Sequence, residues 1–426
     1  AGAGANGIGV ATLTISAGSN TGILHVNAAG DAPQGPAALS FAVSADKAST
    51  LSLPIMVAGA PGTLDQSFGT LGIEADLTSG VANTLAIAAD DSMYVAGVIG
   101  NHWVVRHYFA DGSADATFNT AIATTLDGVG GSPSRIAVRG TALVVGGSNA
   151  GGEFEIRKFS TAGAIDVTFA IGGTYNLQKG GGSVYKGTVT GLAFSAAGDV
   201  LAAGLNSDKG TAGAYRFHGS ATEDRYPYES TVVPAGVGLD ANGNAVVGGT
   251  MAFPDGGSNW FAQHLDSTWM DAGTQTSGSP ALEIVGRNMV VSPTGQIVTA
   301  GVGNFALNGV SASFDALTLA PGLLINVPHS GTSDDGFDGV AAQSDGKLVF
   351  SGNAGGSMTN CFVRRYQTDG GVDTSFASNG NFLILEMNFG PETHFYDLAV
   401  DSWNRIVVVG VSNAPNVGFY VTRLWP

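Results

Sequence analysis

Hydrophobic and polar residues alternate in short runs along almost the whole chain, most clearly in residues 339–376. In this segment an apolar run leads into a Ser-Asp-Gly-Lys turn, a second run closes on Gly352, and a third ends at Tyr366. Short alternating runs bounded by Gly, Asp and Asn are typical of β-strands joined by tight turns. The pattern predicts hairpins, and no segment has the 3.6-residue period of an amphipathic helix.

The same unit recurs seven times along the chain, marked by a β-rich run that ends in glycine. The marker glycines are Gly97, Gly146, Gly204, Gly248, Gly301, Gly352 and Gly410. With one more run before each hairpin, such as 72–77 or 382–387, every unit holds four strands. Four antiparallel strands repeated seven times predict an all-β fold, a seven-bladed β-propeller. The expected blades are approximately 70–118, 119–169, 170–226, 227–271, 272–320, 321–376 and 377–426.

A short tail, Asp-x-x-Phe, indicates how the ring closes. The tail follows the third run at 115–118, 166–169 and 373–376, but the last unit ends at Pro426 without a copy. A copy does occur ahead of the first unit, at 65–68. This arrangement is expected of a ring whose first and last units meet, because closure removes the exposed sheet edges.

Residues 1–60 have a different pattern, with four alternating runs at 9–16, 22–27, 37–45 and 50–58 that predict strands. The segment resembles the C-terminal half of a bacterial immunoglobulin-like repeat, through Leu13-Thr14-Ile15 and the residues up to Val26. A complete sandwich of that class has about seven strands. Three explanations stay open for the missing strands: removal, supply by another chain, or packing on the next domain. The second would make a homo-oligomer or filament through residues 1–60.

From residue 62 onwards the chain resembles a known repeat family. The patterns at 62–69, 345–352 and 365–376 are similar to the delta-60 repeat of large bacterial secreted proteins. Unit five departs from the pattern, because 311–319 lacks the basic residue and the tail. The resemblance implies a propeller of exported or cell-surface bacterial proteins. It supplies no active-site residue, because the family has no shared catalytic motif.

The net charge disfavours some classes of binding partner, and the cysteine content limits the possible cross-links. The chain has 17 basic and 34 acidic residues, a net charge of −17, so nucleic acid and anionic membrane surfaces are unfavourable partners. No apolar run approaches the ~20 residues of a membrane span. Cys361 is the single cysteine, which rules out an intrachain disulfide.

Motif searches predict no catalytic residue and no cofactor. The chain has no Gly-x-Ser-x-Gly, no phosphate-binding loop, no His-Glu-x-x-His and no Cys-x-x-Cys. The turns at 240–244, 292–296 and 344–347 resemble fragments of calcium loops. None has the full ligand pattern, and Asp-Gly or Asn-Gly is also what tight hairpins require. Calcium therefore stays an open but disfavoured alternative.

Most units carry a basic residue near the end of the third run. These residues are His107, Lys158, Arg216, His264, Arg365 and Arg423. A binding ring is one interpretation of them. We favour a structural role, in which charge on a blade's outermost strand deters edge pairing and the residue pairs with the Asp that follows, as Arg365 with Asp373.

One position per unit is expected near the central channel, just before the second strand. It is occupied by Asn83, Pro133, Thr190, Ala235, Arg287, Asp338 and Asp397. Thr190, Arg287, Asp338 and Asp397 are the candidate ligand-binding residues, and the alternative is that they only cap strands. We expect a non-enzymatic binding or structural module that contacts protein or glycan. The competing hypothesis is a glycan-active hydrolase or lyase that uses carboxylates such as Asp338 and Asp397.

Overall fold

The fold is an all-β propeller of seven antiparallel sheets, which confirms the architecture predicted from the repeats. The structure is a computed structural model. It describes residues 35–43, 49–76, 80–180, 183–219, 222–228, 231–253, 257–278, 283–303, 308–327, 335–354, 360–378, 380–383, 393–412 and 418–426.

The described elements follow one another along the chain as strands, with one helix. They are β1 (Gly35–Val43), β2 (Ser49–Val57), β3 (Ile73–Asp76), β4 (Gly80–Ile87), β5 (Met93–Ile99), β6 (His102–Tyr108), α1 (Ala116–Thr125), β7 (Gly131–Arg139), β8 (Ala142–Asn149), β9 (Phe154–Ser160), β10 (Thr174–Asn176), β11 (Gln178–Gly180), β12 (Ser183–Val184), β13 (Gly187–Phe194), β14 (Val200–Asn206), β15 (Thr211–His218), β16 (Thr222–Tyr228), β17 (Val232–Leu239), β18 (Ala245–Ala252), β19 (Ser258–Leu265), β20 (Asp271–Ser277), β21 (Ile284–Val291), β22 (Gln296–Gly303), β23 (Asn308–Asp315), β24 (Pro321–Val327), β25 (Asp335–Ala342), β26 (Leu348–Ala354), β27 (Asn360–Tyr366), β28 (Asn381–Leu383), β29 (His394–Val400), β30 (Ile406–Ser412) and β31 (Gly418–Leu424).

Each sheet begins with an inner strand that faces the channel. The inner strands are β4, β7, β13, β17, β21, β25 and β29, and each contacts the next around the ring until β29 contacts β4. Sheets two to six are β7 to β10, β13 to β16, β17 to β20, β21 to β24 and β25 to β28. The first sheet is β4 to β6, and the seventh is β29, β30, β31 and β3.

The ring is closed by a strand from the N-terminal side, as the displaced tail predicts. β3 pairs with β31 in antiparallel register, with Ile73 opposite Thr422 and Asp76 opposite Phe419. Asp65, in the displaced tail, accepts a hydrogen bond of 2.8 Å from Nε of Arg423. Both side chains are buried. The first and last parts of the propeller are therefore held together by backbone pairing and by a buried ion pair.

The fourth strand belongs to a different sheet from the one expected. The run 72–77 contains β3, which is the outer strand of the seventh sheet and not part of the first. β28, at the start of the run 382–387, likewise is the outer strand of the sixth sheet. The physical reason is that the tight turn at the tail folds β28 back onto β27, the strand just before it. In the same way the turn at the displaced tail folds β3 onto β31, which the closed ring brings beside it. The crossover to the next channel-facing strand comes afterwards.

The prediction that no segment is helical is wrong for the first sheet. α1 follows β6 where other described sheets place their outer strand, and Asp115 caps it by accepting from the N–H groups of Thr117 and Phe118. The Asn119 side chain replaces a strand partner, since its Oδ1 accepts from the backbone N–H of His107 at 2.8 Å. Phe118 and Ile122 are buried. The helix buries only two residues, and its N-cap Asp115 is also the first residue of an Asp-x-x-Phe tail. The hydrophobic periodicity of the sequence therefore did not reveal the helix.

The basic residues pair with aspartates, but outside the first sheet they do not lie on the outermost strands. The distances are 2.9 Å for His107 to Asp115, 3.0 Å for Lys158 to Asp166, 2.6 Å for Arg216 to Asp224 and 2.9 Å for Arg365 to Asp373. They lie on the third strands, and in all sheets except the first a fourth strand covers that edge. Three of these aspartates belong to an Asp-x-x-Phe tail, which the pair holds against its own sheet, whereas Asp224 lies on the outer strand β16. His264 differs, since its Nε2 lies 2.5 Å from the carbonyl oxygen of Ala316 and only 3.8 Å from Oδ2 of Asp240.

Aromatic and aliphatic side chains fill the spaces between neighbouring sheets. Between the fourth and fifth sheets, Trp260 packs with Val246, Ile297 and Phe314, and all four are buried. Burying one such large side chain stabilises the fold by about 1.5–3 kcal/mol. Because each sheet packs against one neighbour on either face, the core is spread around the ring.

β1 and β2 form a separate two-stranded hairpin ahead of the propeller. They correspond to the predicted runs 37–45 and 50–58. The runs predicted at 9–16 and 22–27 lie outside the described residues. The structure therefore describes a hairpin and gives no evidence of an immunoglobulin-like domain.

Candidate functional site

A β-bulge in every inner strand shapes the channel. The pairing of inner and second strand shifts by one residue in all seven sheets, at Asn83, Ser134, Thr190, Ala235, Arg287, Asp338 and Tyr396. A bulge adds one residue to a strand, increases the local twist and redirects the side chains beside it. The repeated bulges therefore turn one ring of side chains towards the channel.

The marker glycine is explained by this bulge. The residue before each bulge pairs with Gly97, Gly147, Gly204, Gly249, Gly301, Gly352 or Gly410. A Cβ atom on Gly410 would lie 1.8 Å from the carbonyl oxygen of His394, and one on Gly352 would lie 2.0 Å from that of Gly336. In the second and fourth sheets this role falls to the second glycine of a Gly-Gly pair.

The bulge falls on the predicted channel position in five units and one residue away from it in two, and it lies within the inner strand and not just before the second strand. Ser134 takes the bulged position expected for Pro133, and Tyr396 takes the one expected for Asp397. An inserted residue breaks the count along a strand, so the bulge cannot be located by spacing alone. Asp397 instead follows the bulged residue Tyr396, and it lines the cavity in the channel.

Asp397 is the centre of a hydrogen-bonded network inside the channel. Its Oδ2 accepts from Oγ1 of Thr84 at 2.8 Å and from the backbone N–H of Leu85 at 3.4 Å. Its Oδ1 accepts from Nδ2 of Asn288 at 2.9 Å and from the backbone N–H of Leu398 at 2.9 Å. Burial raises the pKa of Asp397, against the opposing effect of the positive charge of Arg135. The network joins the first, fifth and seventh sheets.

Arg135, which was not among the sequence candidates, extends this network across the channel. Its Nε donates to the carbonyl oxygen of Thr190 at 2.8 Å, its Nη1 to that of Ser134 at 2.7 Å, and its Nη2 to that of Arg287. Burial lowers the pKa of Arg135, and the charge of Asp397 opposes that shift. These bonds connect the second, third and fifth sheets. We call Thr84, Arg135, Asn288 and Asp397 the channel brace.

Arg287 and Asp338 form a second group on the other side of the bulges. Arg287 Nη1 donates to Oδ1 of Asp338, and Nδ2 of Asn353 donates to Oδ2 at 2.6 Å. Asn353 also bonds to both backbone groups of Phe395, at 3.1 and 3.3 Å. Burial raises the pKa of Asp338, although the charge of Arg287 and these hydrogen bonds oppose the shift. The contacts run without a break across the fifth, sixth and seventh sheets.

An exposed aromatic ring follows Phe395, whose backbone is bonded to the same Asn353 amide that holds Asp338. Tyr396 is 37% exposed, and its ring stacks on His394 with centroids 6.0 Å apart and planes 22° apart. Burial raises the pKa of Tyr396, and the charge of Asp338 raises it further. We call Arg287, Asp338, His394 and Tyr396 the mouth patch. The sequence pattern identified the first two and missed the aromatic pair, which follows no repeat.

The four candidate residues are thus divided between two places. Arg287 and Asp338 belong to the mouth patch, while Asp397 lies in the channel brace. Thr190 lines the same cavity as the brace, and its Oγ1 is buried without a hydrogen-bond partner in the described part of the chain.

The turn at 240–244, one of the three that resemble fragments of calcium loops, uses its carboxylate internally. Asp240 accepts from the backbone N–H groups of Asn242 and Asn244, at 2.9 and 2.8 Å. Across the described ranges, no group of three or more His, Cys, Asp or Glu side chains is placed to hold a metal ion.

The described part of the chain contains one helix, α1, and its ten residues are too few to cross a membrane.

Comparison with known proteins supports the fold. Residues 343–376 match a family described as "Domain of unknown function (DUF5122) beta-propeller". No curated protein matches the sequence significantly.

Several solved structures are similar in fold at low sequence identity. Hydrazine synthase of Kuenenia stuttgartiensis is 12% identical, with 81% of this chain and 95% of that chain covered and a TM-score of 0.50. A periplasmic gluconolactonase of Pseudomonas aeruginosa is 14% identical, with 71% and 87% covered and a TM-score of 0.49. At these identities the similarity extends to the propeller fold alone.

Proposed function

We propose that the protein is a non-enzymatic binding module and that the mouth patch contacts a glycan. The observation that carries the proposal is an exposed aromatic ring, Tyr396, directly after the backbone that Asn353 ties to the ion pair of Arg287 and Asp338. A sugar ring presents C–H groups on one face and hydroxyl groups around its edge. An aromatic face flanked by charged and amide groups is complementary to both, whereas a flat protein partner would favour a larger apolar surface.

The patch is also held in place before any ligand arrives. Asp338 is fixed by two partners, and Asn353 ties it to the backbone next to Tyr396. The Arg287 side chain is 40% exposed, while that of Asp338 is 14% exposed. A ligand would therefore meet the guanidinium group and the tyrosine ring first, and little side-chain entropy would be lost on binding.

The geometry favours binding over hydrolysis. A glycoside hydrolase normally uses two carboxyl groups that flank the bond, one as acid and one as base or nucleophile. Asp338 has the raised pKa of an acid. Asp397, its suggested counterpart, already accepts four hydrogen bonds inside the channel, so it has no capacity left for water or substrate.

The wider setting of this module stays a prediction. The family resemblance of the repeats favours an exported or cell-surface bacterial protein with an adhesive or assembly role. An immunoglobulin-like nature of residues 1–60, and assembly of copies through them, are further parts of the proposal.

Replacing Tyr396 by Ala is expected to weaken glycan binding at least tenfold, because the ring supplies the apolar contact. The measurement is a glycan array with the full chain, followed by calorimetric titration of the best ligand with the wild type, Y396A and R287Q. Trp403→Ala is the matched control, since Trp403 is 41% exposed and lies on the turn between β29 and β30, at the opposite end of the inner strand. It should bind as the wild type does.

Two results would contradict the proposal. One is the absence of glycan binding together with capture of a protein partner that depends on Tyr396. The other is turnover of the bound glycan that is abolished by Asp338→Asn, which would establish the hydrolase alternative instead.

A further inference from the structure

A cavity in the central channel lies on the far side of the brace from the mouth patch. Its volume is 380 Å³, within the range of small-molecule sites. The brace residues contribute to its lining, as does Pro293 from the turn between β21 and β22. Arg287, Asp338 and Tyr396 are not among its lining residues. The cavity is thus a cup with the brace as its floor, running towards the face that carries the turns after the inner strands.

The walls of the cup are mainly aliphatic side chains. They include Ile87, Leu192, Met289, Val340 and Val400. Each inner strand is also the last strand of its sheet on this side, so backbone N–H and C=O groups on that edge face the cavity. A ligand with an apolar body and a small polar group would fit these surroundings.

The floor has more hydrogen-bond donors than acceptors to offer. A guanidinium group has five N–H bonds, and Arg135 uses three of them on backbone carbonyl oxygens. The Asn288 amide donates one N–H to Asp397, and its oxygen accepts from Met289. Asp397 already accepts four hydrogen bonds. The floor therefore suits an oxygen atom that accepts hydrogen bonds.

The charge of the floor selects between two kinds of acceptor. Asp397 accepts four hydrogen bonds and donates none, as a carboxylate does, and Arg135 carries a guanidinium group, so the two charges cancel formally. A carboxylate would lose its hydration and gain no net charge attraction in return. A neutral carbonyl oxygen has a much smaller desolvation cost and can use the same donors.

We infer that the cup binds a small neutral carbonyl compound, such as a lactam, lactone or ketone with a compact aliphatic body. The carbonyl oxygen accepts from the free N–H groups of Arg135 and Asn288, and the aliphatic body contacts Leu192, Met289 and Val400. This site is separate from the mouth patch and is independent of the proposed glycan binding.

The experiment uses the full chain and two probes of similar size, ε-caprolactam and cyclohexanecarboxylate, titrated by ligand-observed NMR at neutral pH. Caprolactam is expected to bind at least tenfold more tightly than the carboxylate. Val400→Phe fills the cup and should reduce caprolactam binding at least tenfold. Arg135→Lys keeps the charge but loses the fork of donors, and should have a similar effect. Tyr396→Ala should leave caprolactam binding unchanged.

Folding of both channel variants is checked by far-ultraviolet circular dichroism and thermal unfolding. If V400F fails to fold, the binding measured with R135K decides the outcome alone. In that case, competition between caprolactam and a saturating second lactam in the wild type tests whether both bind at a single site. The inference is overturned if neither probe binds, if the carboxylate binds more tightly, or if both folded variants bind caprolactam as the wild type does.

Discussion

Replacing Asp65 by Asn is expected to lower the free energy of unfolding by about 3–5 kcal/mol. Asp65 Oδ2 lies 2.8 Å from Nε of Arg423 and 3.4 Å from Nη1 of Arg405, and all three side chains are at most 3% exposed. Removing the negative charge leaves two buried guanidinium groups without this partner. Urea unfolding of the wild type and D65N, followed by tryptophan fluorescence, measures the difference.

Asp345→Asn is the matched control for this change. Asp345 also pairs with a basic residue, since its Oδ2 lies 3.0 Å from Nζ of Lys347, but its side chain is 49% exposed. An exposed pair of this kind contributes about 0.5 kcal/mol or less. Equal stability of D65N and D345N would show that the buried pair does not hold the ring closed.

Alanine in place of Gly352 is expected to destabilise the protein by about 3 kcal/mol. The new Cβ would lie 2.0 Å from the carbonyl oxygen of Gly336, and both atoms belong to paired strands that cannot separate locally. The clash can be relieved only if the bulge at Asp338 moves, so the affinity of the mouth patch for glycan should fall as well. Thermal unfolding and calorimetric titration measure the two effects.

Gly371→Ala provides the comparison for that substitution. Gly371 follows a turn, and the atoms nearest to a Cβ atom at this position belong to the side chain of Asp369, at 3.1 and 3.9 Å. A flexible side chain can yield, so we expect a change below about 0.5 kcal/mol. A G352A protein as stable as G371A would mean that the bulge tolerates a side chain on its partner strand.

The sequence was most informative where one residue type has a single physical role. Glycine repeats once per unit because a carbonyl oxygen of the inner strand occupies the space of a Cβ atom. The Asp-x-x-Phe tail repeats because its aspartate pairs with a basic residue on the third strand. The displaced copy at 65–68 therefore predicted closure correctly.

Features that depend on several distant residues could not be predicted. The outer strand of a sheet and the inner strand of the next are neighbours in sequence, so spacing alone could not assign β3 to the seventh sheet. The helix α1 replaces a strand through one side chain, Asn119. Arg135 reaches the channel only because a bulge precedes it, and its partners Thr190 and Arg287 are far away in sequence.

Amide hydrogen exchange followed by mass spectrometry can show whether β3 completes the seventh sheet and closes the ring. If it does, peptides covering Ile73–Asp76 should exchange as slowly as those covering β31, because the two strands share hydrogen bonds and would open together. Exchange of Ile73–Asp76 as fast as that of the exposed turn at 241–243, with β31 still protected, would contradict the account.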